Sequence, residues 1–531
     1  MKILFALLVI IFPFWAEAQP SDQSNAPQVE TAYGILAGTE DSGVHIYRGI
    51  PFAQPPVGEL RWQAPQPVEK WEGVKKADAF GPRAMQLPLF SDMNFRSDGV
   101  SEDCLYLNVW APTPAGNEKL PVLVYFYGGG FVAGDGSEYR YDGESMARRG
   151  IVAVTVNYRL GVFGFFSHPE LTQESPNQAS GNYGLLDQAA ALQWVHENIA
   201  AFGGNPDQVT IAGESAGSFS VSAQMASPLS RDLIAGAIGE SGSLVGSSRT
   251  KPLAEGEQTG VQFADMVGAA SLSDLRALSA DSLLQATANP DAPRFPVVVD
   301  GHFFPQSPDS IYTTGQQADV PLLLGWNSQE GSYQAILGEK EPTPENYQAA
   351  VEEQYGEQAS EVLQLYPGND AAEIMQSATA LASDRFIGFG TWKWGEAHAK
   401  TSNQPVYRYY YTRPRPAMRS EAQDAVASTE GGAAAAEPLR PQGAVHSAEI
   451  EYALGNLPTN RVYDWQPEDF IVSEIMQGYF VNFIKTGDPN GIGLPEWPAM
   501  NQGSTPQVMH IGVKTQAKPE QHRRRYQFMD Q

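Results

Sequence analysis

The chain has 531 residues, with 34 Lys+Arg against 61 Asp+Glu, a net charge of −27 and one cysteine, Cys104. So negative a surface repels a phosphate backbone and excludes a basic nucleic-acid binder, and one thiol cannot close an intrachain disulfide. With 42% hydrophobic and 11% aromatic residues the chain can bury a large core, which excludes global disorder.

Lys2 precedes an uncharged apolar run from Ile3 to Trp15, and Ala16-Glu17-Ala18 is a small-x-small cleavage pattern. Residues 1–18 are expected to be a secretory signal peptide. The run is short for a bilayer and Pro13 interrupts it. The competing reading is a short N-terminal anchor that is never cut. Export implies the periplasm or the outside of the cell. No later stretch approaches the length of a membrane helix, so the mature chain from residue 19 is expected to hold no integral span.

Beyond a polar start at 21–28, strand-like runs alternate with helical patterns. VLVYFY (122–127) and IVAVTV (151–156) are β-branched and aromatic, as buried strands require. Residues 183–201 space Leu186, Ala190, Trp194 and Val195 at helical intervals, and Gly203-Gly204-Asn205-Pro206 stops that helix. QVTIA (208–212) is a further strand, as are 321–324, 406–411 and 507–511. The alternation predicts an α/β fold, a mainly parallel central sheet with helices on both faces. Residues 413–442, rich in Ala, Glu, Gly and Pro, are expected to form a mobile surface loop. No internal repeat is present.

Gly213-Glu214-Ser215-Ala216-Gly217 follows the QVTIA strand and precedes a small-residue stretch suited to a helix. A Gly-x-Ser-x-Gly in strand–turn–helix context is a nucleophile elbow. Its serine stands on a sharp turn, flanked by glycines that admit close backbone approach. Upstream, Gly128-Gly129-Gly130-Phe131 follows the VLVYFY strand and can present N–H donors to an oxyanion, joined by the N–H of Ala216. A serine hydroxyl needs a base and an orienting carboxylate. Of the eight histidines, only His446 lies in a Gly/Pro-flanked loop after a strong strand and after the acid candidates. Glu330, in the loop after the 321–324 strand, is the best-placed acid, with Asp300 and Asp384 as competitors. Phe131, Phe163 and Phe165 suggest an aromatic-lined site, and core packing explains them equally well.

The chain resembles the type-B carboxylesterase family, which also contains cholinesterases and bacterial para-nitrobenzyl esterases. The likeness runs through YRGIPFAQPPVGELRWQAPQP (47–67), SEDCLYLNVWAP (101–112), YGGGF (127–131), VNYRLGVFGFF (156–166), the block ending in GESAGS (181–218), PVVVDGHFFP (296–305), GWNSQEGSY (325–333), GAVHSAEIEYALGN (443–456) and NFIKTGDPN (482–490). It implies one α/β-hydrolase domain over 19–531. It also implies a serine esterase with the triad Ser215, Glu330 and His446, and oxyanion donors at Gly129, Gly130 and Ala216. Ser241 resembles a buried serine beside the triad. The implied partner is a small-molecule ester, with no cofactor or metal. Oligomeric state is not legible.

Three departures follow. Secreted animal members bridge the cysteine of the EDCLYLN block to an earlier one, whose place is taken here by Ala84, so Cys104 is expected to be a buried free thiol. No Trp stands between Ala84 and Cys104 to hold a quaternary ammonium, so choline specificity is unsupported. No Asn-x-Ser/Thr sequon is present, which suits a bacterial exported enzyme. The rival readings are a hydrolase of lactones, amides or thioesters with the same triad, and a non-catalytic cholinesterase-like binding protein.

Overall fold

Among the described residues, eleven strands make one sheet. In chain order they are β1 (Thr39–Asp41), β2 (Val44–Pro51), β3 (Tyr106–Pro112), β4 (Leu120–Phe126), β5 (Val152–Val156), β6 (Gly204–Glu214), β7 (Gly236–Glu240), β8 (Leu322–Asn327), β9 (Val406–Tyr411), β10 (Gln507–Ile511) and β11 (Gln516–Pro519). The spatial order is β11-β10-β9-β8-β7-β6-β4-β5-β3-β2-β1. The strands from β10 through β5 run parallel, and the edges are antiparallel. The structure is a computed structural model and describes residues 26–113, 118–419, 442–501 and 505–531. The expected signal peptide, and residues 420–441 of the expected 413–442 loop, lie outside the described residues.

The strands that hold the site are apolar on both faces. Every residue of β5 is buried, as is every residue of β8. That is the demand of a parallel sheet covered by helices on both sides. Helix α1 (Tyr183–Asn198) precedes β6, and α2 (Ala216–Ala226) follows it. All eleven residues of α2 are buried. Its serine hydroxyls are satisfied by backbone carbonyls: Ser218 Oγ donates to Gly242 O (2.6 Å) and Ser220 Oγ to Ala216 O (2.9 Å). Buried hydroxyls so paired avoid the desolvation cost that would otherwise oppose the packing.

Phe131 and Phe165 belong to the main core, and Phe163 to a satellite cluster around Trp62, Phe166 and Phe263. Core packing is thus what these three aromatics do. Cys104 is free and buried, its thiol pushed well up by burial and by nearby Asp187. It shares a small cavity with Ala84, Trp62 and Phe163. No helix among the described residues is long and apolar enough to cross a membrane.

Candidate active site

The loops at the carboxyl ends of β4, β6, β7 and β8 converge, as the open end of a parallel sheet dictates. After β6 the chain turns at Ser215 with φ 54° and ψ −118° and enters α2 directly. A non-glycine residue at positive φ is strained. The turn is this tight because its glycines touch backbone: a Cβ on Gly217 would stand 2.0 Å from Phe126 O, and one on Gly213 2.6 Å from the same oxygen. Ser215 is one of four strained residues around the site. Phe131 (φ 63°), Ser241 (φ 56°) and Ser447 (φ 64°) are the others, and each adjoins a predicted site residue or is one.

The glycine loop after β4 lies against this turn. A Cβ on Gly128 would meet Ser215 Cβ at 3.2 Å. Gly129 and Gly130 have φ of 110° and 65°, conformations that glycine adopts freely. Among the described residues, their N–H groups donate no hydrogen bond. Ala216 is the first residue of α2, where N–H groups lack intrahelical acceptors. The loop is held from beneath. Tyr127 stacks on Tyr158 at 4.3 Å, Tyr158 Oη donates to Tyr127 O, and Gly134 exchanges two hydrogen bonds with the Gln86 amide.

His446 and Glu330 are brought together. His446 Nδ1 lies 2.6 Å from Glu330 Oε2. The other carboxylate oxygen accepts from Ser241 Oγ (2.6 Å) and from the backbone N–H of Asn327 (2.6 Å). Ser241 is itself fully buried. His446 Nε2 faces Glu214 Oε1 at 3.2 Å. Among the described residues no hydrogen bond joins Ser215 Oγ to His446, a looseness common when no substrate is bound. The competing groups are engaged elsewhere. Asp300 accepts from the N–H groups of His302 and Phe304, Asp384 from two tyrosines, and His398 contacts Val320 O.

Three buried glutamates that sequence reasoning assigned no role complete the site. Glu214 precedes Ser215, and Glu240 accepts from Tyr125 Oη at 3.2 Å. Glu449 receives Ser241 Oγ at 3.1 Å and the Asn327 amide. Burial raises Glu214 to about 8, although His446 pulls it down. Burial and Glu330 raise Glu449 to about 7. Burial and Glu449 push Glu240 well up. For His446, burial favours the neutral ring, but the carboxylates of Glu214 and Glu330 outweigh it and push it to about 10. The only signal for Glu214 was its place beside the serine. Nothing marked Glu240 or Glu449 among 61 acidic residues.

The chain as a whole is matched by known proteins. The model of the carboxylesterase family matches residues 25–529. The para-nitrobenzyl esterase of Bacillus subtilis is 34% identical over 521 residues, covering 94% of this chain and 98% of that protein. The fumonisin B1 esterase of Sphingopyxis macrogoltabida is 34% identical over 489 residues, 90% of this chain and 85% of its own length. The solved carboxylesterase of Geobacillus stearothermophilus superposes with a TM-score of 0.79 at 30% identity, covering 95% of this chain and all of that one. The chain belongs to the carboxylesterase family and is a serine carboxylic-ester hydrolase of α/β-hydrolase fold.

Proposed function

We propose that Ser215 is the nucleophile, His446 its base and Glu330 the orienting carboxylate. Gly129, Gly130 and Ala216 then form the oxyanion hole, and Ser241 positions Glu330. The observation that carries this reading is the His446–Glu330 contact of 2.6 Å, set beside the strained Ser215 turn. His446 takes the Ser215 proton, the alkoxide attacks the ester carbonyl, and the three N–H groups bind the oxyanion, a contribution of about 3–4 kcal/mol per donor. Imidazolium beside Glu330 then protonates the leaving alcohol. Water, activated by His446, releases the acid from the acyl-enzyme. This chemistry calls for no metal or cofactor. By likeness to the para-nitrobenzyl esterase, p-nitrobenzyl and p-nitrophenyl esters are the first substrates to try. A fluorophosphonate should label the protein on a single peptide, at Ser215. A folded protein that never labels would favour the binding-protein reading instead.

Glu214 and His446 share protons in this scheme. With Glu214 uncharged, His446 loses the carboxylate that lifts it most and holds its proton less tightly. Glu214→Gln removes that lift permanently. The acid limb of the kcat/KM profile, which reports His446 giving up its proton, should therefore move to lower pH. A limb that stays in place or moves up would show that Glu214 does not set the base.

Export is proposed from the Ile3–Trp15 run and the Ala16-Glu17-Ala18 pattern. The secreted protein should begin at Gln19 by mass spectrometry, and an intact Met1 in that fraction would refute cleavage.

A further inference from the structure

One aromatic side chain at the site belongs to no core. Phe386 is 44% exposed, and its ring meets the His446 imidazole at 5.2 Å between centroids and 66° between planes. It is carried on a π-helical turn, Asp384–Gly388, between α3 (Ala371–Ser383) and α4 (Phe389–Thr401). Single π-turns inside α-helices mark functional positions often. This one is fixed from both sides. Asp384 is buried and accepts from Tyr366 Oη (2.8 Å) and Tyr526 Oη (3.1 Å). Ser383 Oγ accepts from the N–H of Gly331 (3.0 Å), the residue after Glu330, and donates to Thr379 O (2.7 Å). An isolated exposed phenylalanine on open surface needs no explanation. A half-exposed ring packed on the base, on a turn tied to the loop of the acid, is differently placed.

We propose that Phe386 is a specificity-determining residue for the ester's alcohol half, forming the wall against which the leaving alcohol packs. This rests on His446 being the base. The proton it received goes to the leaving oxygen, so the carbon behind that oxygen comes within a bond or two of the imidazole. The acyl carbon is instead bonded to Ser215, and its oxygen points to Gly129 and Gly130. A ring seated on the imidazole and open to solvent on its far side therefore meets the alcohol. Aromatic and bulky alcohols gain contact there, and small ones do not.

The test is Phe386→Ala in the full chain, with kcat/KM read on two series. One holds the acyl group at acetate and varies the alcohol through methyl, phenyl and benzyl. The other holds p-nitrophenol and varies the acyl chain from acetate to octanoate. The phenyl-to-methyl and benzyl-to-methyl ratios should fall about tenfold, with the acyl-series ratios unchanged. Phe386→Leu should retain most of the discrimination, and it reads the same ratios if the alanine variant folds poorly. A shift confined to the acyl series would overturn the proposal. So would an equal fall for every ester, which would mean the ring only braces His446. His446→Ala, measured in parallel, separates the two readings: turnover that survives it removes the base assignment, whatever Phe386 does.

Discussion

Ser215→Ala should lower kcat for p-nitrophenyl esters by about 10⁵–10⁶-fold while leaving the fold intact. Among the described residues Ser215 Oγ makes no hydrogen bond, and the backbone contacts at this position are made by its N–H to Glu240 O and its C=O from Phe219 N. Alanine keeps both. Its side chain also fits wherever that of serine fits, so nothing but the nucleophile is withdrawn. Midpoints of thermal unfolding should therefore agree closely, and the kinetic loss is chemical rather than structural. The residual rate would come from the oxyanion donors and from binding alone. Retention of more than about one part in a thousand of the wild-type kcat would remove Ser215 from the mechanism.

The second large effect is Glu330→Gln, expected to cost about 10⁴-fold in kcat with little change in KM. The reason lies in the partners of the two oxygens. Oε1 receives two donors, Asn327 N–H and Ser241 Oγ. A glutamine must leave its carbonyl oxygen there, since an amide NH₂ would meet the Asn327 N–H donor head-on. The NH₂ then turns to His446 Nδ1, which has to accept. The ring proton moves to Nε2, the atom that must take the proton of Ser215, and the base is in the wrong tautomer. The imidazolium also loses its adjacent carboxylate. A loss under tenfold would mean that Glu330 does not orient the base, and Ser241→Ala, which removes only one of the two donors, should cost far less.

Much of the framework was legible because it obeys local rules. The strands at 406–411 and 507–511 coincide with the structure residue for residue, the first a run of Val and Tyr broken only by Arg408, as β propensity favours. The strand read as 208–212 runs from Gly204 to Glu214, because pairing with β4 continues past a register shift that its Asn-Pro-Asp segment hides. Chain order and motif context pointed to the serine, the histidine and the glycine loop of the proposed site. They did not reveal Glu214, Glu240 and Glu449, because burial of a carboxylate is decided by residues distant in sequence. Phe386 was hidden for another reason. It lies within a helical pattern, and the added residue of a π-turn leaves no periodic trace. The aromatics that did attract notice, Phe131, Phe163 and Phe165, sit in the core.

The brace on Asp384 has a consequence for synthesis. Tyr526 reaches it from the helix at Arg523–Met529, beside Arg525. A polypeptide leaving the ribosome exposes residue 215 early, 330 later and 446 later still, and only after residue 526 has emerged is the second of the two tyrosine donors to Asp384 present. Chains ending before residue 526 thus lack one of the two tyrosine hydroxyls that hold Asp384. Completing that brace therefore requires the chain to have been made as far as residue 526.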